Sequence, residues 1–224
     1  MSIGNKLVTI ITLILVSACS FNNNQSNTEK VDTHFSGAYA FPDGTIFTLG
    51  YSNEERMRML RFKDGQPYSL YHNGDNQFNV TKGFSSKETV ATGELTYSPS
   101  GEVTGATWAE GNEELTIERL PLTKQTMYFQ SGELKLRGEL TLPAGEGPFP
   151  VVIMVHGSED YSAVDYYQWP YILAAHGIAG FKFDKRGTGS SEGEYTQHFP
   201  TLAGDVVAAI ERLKKEQELS LIHI

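Results

Sequence analysis

Val151-Val-Ile-Met-Val-His-Gly-Ser158 and Ile178-Ala-Gly-Phe-Lys-Phe-Asp-Lys-Arg-Gly-Thr-Gly-Ser-Ser-Glu-Gly193 decide the fold of the second half of this chain. Each is an apolar run of strand length that enters a glycine-rich turn. Residues 151–155 contain no polar side chain, which predicts a strand buried on both faces and central in its sheet. A helical stretch joins the two runs. Its regular part is expected to begin near Gln168 or Trp169, because Pro170 is tolerated only in a first turn. Tyr171, Ile172, Leu173 and Ala175 form its apolar side, Gly177 supplies the C-terminal cap, and His176 sits in the last turn, where the helix dipole favours it.

Working outward, Met127-Tyr-Phe-Gln-Ser-Gly-Glu-Leu-Lys-Leu-Arg-Gly-Glu-Leu-Thr-Leu-Pro143 reads as two strands that turn near Ser131-Gly132. Residues 201–217 read as a helix with Leu202, Val206, Ala209, Ile210 and Leu213 on one face and a Glu211–Lys215 pair across a turn. Asp205 lies in its first turns, where an acid suits the dipole.

Together these segments resemble the opening part of the α/β-hydrolase superfamily. The hairpin ends in Leu-Pro, His156-Gly157-Ser158 stands where the oxyanion loop follows the third strand, and Asp184-Lys-Arg-Gly-Thr-Gly-Ser-Ser191 follows the fourth. The combination is similar to bacterial serine aminopeptidase-like and dienelactone hydrolase-like enzymes. The resemblance implies carboxylic ester, thioester or peptide hydrolysis by a serine nucleophile. It assigns the oxyanion donor to the N–H of Ser158, or with less support Glu159, because the chemistry needs a fixed donor where negative charge develops. His156 is then structural, and Asp184 and Arg186 brace their loop rather than meet substrate.

In that family the nucleophile, the acid and the catalytic histidine all follow later in the chain, so no catalytic residue is assigned here. Gly189-Ser-Ser-Glu-Gly193 matches Gly-x-Ser-x-Gly around Ser191. A nucleophile elbow must leave a strand and enter a helix directly, and this one does neither. Gly187, Gly189 and Gly193 also miss the dinucleotide fingerprint by one residue. No cofactor is called for, and no His/Cys/Asp/Glu cluster has metal-ligand spacing.

The first half has a different rhythm. Over residues 35–123, turn signals fall at Pro42-Asp-Gly44, Asp64-Gly65, Asn73-Gly74, Pro99-Ser-Gly101 and Glu110-Gly-Asn112, separated by short alternating runs. This predicts an all-β domain, sandwich or barrel-like, of unknown function, ahead of the truncated α/β-hydrolase portion at 124–218. Its many aromatics read as core and cross-strand pairs. His34 and His72 read as surface residues.

The N-terminus reads as a targeting segment. A basic start, about ten mostly apolar residues and Val16-Ser-Ala-Cys19 resemble a lipoprotein signal peptide (1–19) with Cys19 as the lipidated residue. Cys19 is the only cysteine, so a disulfide framework does not explain it. An ordinary secretory signal with a chance cysteine is the alternative. Residues 20–34 are polar and read as a flexible tether. The expected setting is a bacterial cell envelope, at the outer membrane in a Gram-negative host. The expected partners are the lipid bilayer and a small-molecule or peptide acyl substrate. The net charge of −9 argues against nucleic acid and fits a solubilising acidic surface. The oligomeric state is left open.

Leu219-Ser-Leu-Ile-His-Ile224 departs from the resemblance, which expects a fifth strand and then the nucleophile. It matches a translation of a transposon mosaic-end sequencing adapter, so residues 219–224 are expected to be adapter-derived; a natural short protein is the alternative. On that expectation the 151–155 strand keeps an unpaired apolar edge, and the chain is aggregation-prone and inert. A non-catalytic lipoprotein, with a binding β domain and a degenerate hydrolase portion, is the competing functional reading.

Overall fold

The computed structural model describes residues 34–53, 56–61, 66–73, 76–83, 85–155 and 157–220. The signal peptide, Cys19, nearly all of the tether, the turn residues Asp64, Gly65 and Gly74, His156, the side chain of His72, and residues 221–224 lie outside them. Residues Val31–Ile224 form one compact unit.

Eight antiparallel strands come first: β1 (Gly37–Ala40), β2 (Ile46–Asn53), β3 (Arg56–Arg61), β4 (Gln66–His72), β5 (Gln77–Lys82), β6 (Thr89–Tyr97), β7 (Val103–Glu110) and β8 (Glu113–Arg119). They form a closed barrel. Each strand pairs with the next in sequence, and β1 closes on β8 through Tyr39↔Arg119 and Ala40↔Glu118. Closure leaves this sheet without an open edge. Alternating residues point inward, and Tyr39, Phe47, Leu49, Met59, Leu70, Phe78, Val80, Trp108 and Ile117 fill the interior. Trp108 lies edge-on to Phe41, with ring centroids 5.3 Å apart, and tilted against Phe47 and Phe78. The tight turns use Gly44 and Gly111, both at positive φ.

The second sheet has the order β13-β11-β12-β10-β9. It contains β9 (Thr123–Ser131), β10 (Leu134–Leu142), β11 (Phe149–Met154), β12 (Ala179–Phe183) and β13 (Leu219–Ser220). The β9–β10 hairpin turns through Gly132 at φ 62°. β12 is antiparallel to β10 and parallel to β11, the parallel pairing that a crossover connection provides. Three helices complete the unit: α1 (Ala163–Tyr166), α2 (Trp169–Ala175) and α3 (Phe199–Leu213). A core of Phe129, Leu136, Leu140, Phe181, Phe183, Ala209 and Leu213 holds α3 to the sheet.

Several expectations need correction. The fully buried strand is β12, whereas β11 is only half-buried, with Val152 37% exposed. Apolar composition permits burial on both faces but does not supply the covering layer. Leu219 and Ser220 do continue the sheet: they pair in parallel with Phe149 and Pro150, so the outer edge of β11 is partnered at its start. α3 ends at Leu213 rather than near residue 217. Glu211 pairs with Lys214, and Arg212 pairs with Glu216. On α2 the deeply buried alanine is Ala174, not Ala175.

Barrel and sheet meet along α2. Gln168 packs on β2 where Gly50 leaves room; a Cβ on Gly50 would lie 2.6 Å from Gln168 Cβ. Arg119 and Lys124 both point at Ser36 O, at 2.9 and 3.5 Å. Lys182 is buried in the middle of β12. Its Nζ donates to Tyr167 O at 2.9 Å and lies 3.2 Å from Glu139 Oε1. Burial lowers the Lys182 pKa, with Glu139 opposing the shift.

Candidate active site

The loops after β11 and β12 lie side by side at the C-terminal ends of two parallel strands, where open α/β sheets place their ligands. The β12 loop is the better anchored. Asp184 is fully buried, and Oδ1 accepts from Ser162 Oγ at 2.8 Å and from Val164 N at 3.0 Å. Oδ2 accepts from Ser190 N at 3.4 Å and lies 3.5 Å from Arg137 Nη1. Burial raises the Asp184 pKa; the donors from Val164, Ser162 and Arg137 pull it back. Ser162 also caps α1 by accepting from Asp165 N at 3.0 Å. Asp184 thus ties the end of β12 to the start of α1.

Arg186 points the other way, to α3. Its Nε donates to Asp205 Oδ2 at 2.9 Å and its Nη2 to Asp205 Oδ1 at 2.6 Å, a two-point grip on a fully buried carboxylate. Ser131 Oγ donates to the same Asp205 Oδ1 at 2.5 Å. The hydrogen bond to Asp205 is the main cause of a raised Arg186 pKa. Asp205 is therefore a buried partner of Arg186, and it lies beyond the first turn of α3 rather than where an acid meets the helix dipole. The signal for this was present: an acid at 205 falls beside the apolar stripe of Leu202, Val206 and Ala209.

Two glycines make the turn possible. Gly187 and Gly189 have φ of 72° and 52°. A Cβ on Gly189 would overlap the Asp184 carboxylate, and one on Gly187 would overlap the backbone at Glu194 and Tyr195. Ser191 is committed to structure: its Oγ donates to Asp184 O at 2.6 Å and accepts from Arg137 N at 2.9 Å. That occupancy adds to the missing strand-to-helix junction as an argument against Ser191 as a nucleophile.

The β11 loop carries Gly157 and Ser158, both exposed. Lys185 Nζ donates to Gly157 O at 2.7 Å, and the Tyr195 hydroxyl donates to Ser158 O. Tyr167 approaches Glu159 Oε1 at 3.5 Å, and its pKa is raised to about 12, chiefly by burial. Lys185 and Tyr195 were not singled out from sequence. Of the histidines, His176 Nδ1 lies 2.9 Å from Ile172 O and His198 Nδ1 lies 2.8 Å from Thr201 Oγ1. Among the described residues, no group of three or more His, Cys, Asp or Glu side chains could hold a metal ion.

A mixed sheet with glycine loops at the ends of two adjacent parallel strands is an α/β arrangement that many ligand-binding and catalytic proteins share, and the relatives found by sequence support a hydrolase superfamily. Over 100 residues the chain is 36% identical to esterase FrsA of Escherichia coli O1:K1, and equally to esterase FrsA of Escherichia fergusonii. The match takes in 43% of this chain and 24% of the relatives' length, so the chain spans about a quarter of the proteins it matches. No family model matches the chain. Among solved structures, the acylaminoacyl peptidase of Pyrococcus horikoshii overlaps 79% of this chain and 37% of its own, at TM-score 0.36 and 14% identity. A post-proline cleaving enzyme from Rickettsia typhi overlaps 82% of this chain and 31% of its own, at TM-score 0.35 and 11% identity. Neither overlap is close enough to carry an argument.

Proposed function

We propose that this chain carries the oxyanion-binding part of a serine hydrolase that transfers acyl groups from esters, thioesters or peptides to water. The observation that supports this reading most is the Gly157–Ser158 turn at the C-terminal end of parallel strand β11. It lies beside the braced Asp184–Ser191 loop, in a chain similar to named esterases. On this reading a serine hydroxyl attacks the substrate carbonyl as a base removes its proton. The carbonyl oxygen becomes an oxyanion held by the Ser158 N–H, and the tetrahedral intermediate collapses as the leaving group takes a proton. Water then releases the acyl group by the same steps. On this reading the serine, its base and the orienting carboxylate lie outside the residues described, as the family resemblance implies, and Ser191 serves the loop through Asp184 O and Arg137 N. Asp184 and Arg186 hold the loop and do not meet substrate.

The proposal includes a lipid anchor at Cys19. Mass spectrometry of envelope-extracted protein tests this directly: a diacylglyceryl mass on Cys19 is expected, and an unmodified cysteine in mature protein refutes the anchor. For the chemistry, the test is fluorophosphonate labelling of the protein encoded by the whole open reading frame. One labelled serine outside residues 34–220, with turnover of p-nitrophenyl acyl esters, is expected. A complete reading frame with no labelled serine overturns the reading.

A further inference from the structure

Two side chains from the β12 loop region grip consecutive carbonyls of the β11 loop. Lys185, itself buried, places Nζ 2.7 Å from Gly157 O, and Tyr195 donates its hydroxyl to the next carbonyl, Ser158 O. The two donors are neighbours, with Lys185 Nζ 4.7 Å from the centre of the Tyr195 ring. Gln197 Nε2 donates to the Tyr195 hydroxyl at 2.7 Å and so orients it toward Ser158. Gly187 brings Tyr195 within reach, because any side chain there would displace the backbone at Tyr195.

The consequence follows from peptide geometry. Among the described residues the only cis bond is Gly147–Pro148, so the 157–158 and 158–159 peptides are trans. In a trans peptide the C=O and N–H of one plane point in opposite directions. Donors from Lys185 and Tyr195 on two consecutive carbonyls fix the planes of both peptides, and with them the directions of the Ser158 and Glu159 N–H groups. Successive amides presented together make a concavity for an anion. We infer that Lys185 and Tyr195 are positioning residues that aim the Ser158 and Glu159 amides as a two-donor oxyanion site. The inference rests on the hydrolase reading above and adds to it a second donor and the pair that aims both. Lys185 is a cation near the site, but it faces the carbonyl side of the loop and acts through the peptide planes, not on the substrate oxygen.

The test separates the clamp from the reading beneath it. In isotope-labelled 224-residue chain, Lys185→Met is expected to shift the Gly157 carbonyl and Ser158 amide resonances. Tyr195→Phe is expected to shift the Ser158 carbonyl and Glu159 amide. Lys185→Arg should return the Gly157 carbonyl most of the way. In the protein from the whole reading frame, each loss variant should lower kcat for an acyl ester by about 10- to 100-fold, the range for misaimed catalytic groups, with KM changed less than about 2-fold. Unchanged carbonyl resonances overturn the clamp. Shifted resonances with unchanged kcat, or a loss expressed only in KM, overturn its role in catalysis. A wild-type protein that turns over no acyl ester sinks the hydrolase reading instead, and the clamp then stands or falls on the resonances alone.

Discussion

Removing Arg186 should destabilise the protein more than neutralising its partner, and the asymmetry is the informative quantity. Asp205 is fully buried and takes two hydrogen bonds from Arg186 and one from Ser131. Arg186→Ala leaves a carboxylate in the core with a single hydroxyl donor. Breaking a buried ion pair from one side costs about 3–5 kcal/mol, because the surviving charge stays desolvated. Asp205→Asn leaves the opposite orphan. The Arg186 side chain is already 21% exposed, so its guanidinium can turn to water. The expected cost there is nearer 1–2 kcal/mol, that of a charged hydrogen bond. With a urea slope of about 2 kcal/mol per molar, Arg186→Ala should lower the unfolding midpoint by about 2 M, and Asp205→Asn by less than about 1 M. The double variant should be less destabilised than the sum of the two, since neither orphan remains. Urea unfolding followed by circular dichroism, with unchanged slopes, measures all three. An Arg186→Ala cost below about 1 kcal/mol, or one no larger than that of Asp205→Asn, would refute the reasoning.

Three further outcomes follow from the same loop and its surroundings. Ser191→Ala should cost about 1–3 kcal/mol by stranding Asp184 O and Arg137 N, while leaving fluorophosphonate labelling of the whole protein intact; loss of the label would restore Ser191 as a nucleophile. Gly187→Ala should cost at least about 2 kcal/mol from positive φ and overlap with the backbone at Tyr195, and a denaturation midpoint within error of wild type would contradict that geometry. Burial raises the pKa of Tyr171, and likewise that of Tyr39, so the folded state keeps these protons after the unfolded chain has lost them. Their contribution is complete below pH about 10 and declines as pH rises beyond it. Tyr171→Phe should flatten the alkaline loss of stability, and an unchanged slope between pH 9 and 11.5 in urea titrations would disprove the assignment.

The barrel strands were largely legible because alternation and turn residues act locally. Asp43-Gly44 and Glu110-Gly-Asn112 mark tight turns, and runs such as Phe47-x-Leu49 expose one apolar face. What was not legible is that β8 returns to β1. That pairing joins residues 78 and 80 positions apart and decides barrel over sandwich without any local signature. In the second sheet, the existence of β11 and β12 followed from the two quoted motifs, and their place in the order β13-β11-β12-β10-β9 is set by long-range pairing. The burial of β11 did not follow from them, because a strand's exposure belongs to the layers placed over it. Leu219 and Ser220 were silent for a similar reason: two residues carry too little pattern to announce a strand, and it is their pairing with Phe149 and Pro150 that makes them one.

The candidate site divides along the same line. Glycines at 187 and 189, an acid and an arginine closing a strand, and His-Gly-Ser after an apolar run are chemical constraints written into consecutive residues, and they pointed to the loop without coordinates. Which group each of those residues holds was settled by chain crossings over long separations: Arg186 with Asp205, Asp184 with Ser162, Lys185 with Gly157 and Tyr195 with Ser158. Sequence alone determined the kinds of turn the backbone must make, since conformational freedom at a glycine and the alternation of a strand are properties of neighbouring residues. Only the tertiary structure decided the partners of the buried charges and the aim of the amides, since an ion pair or a peptide plane is held by groups that the linear order keeps far apart.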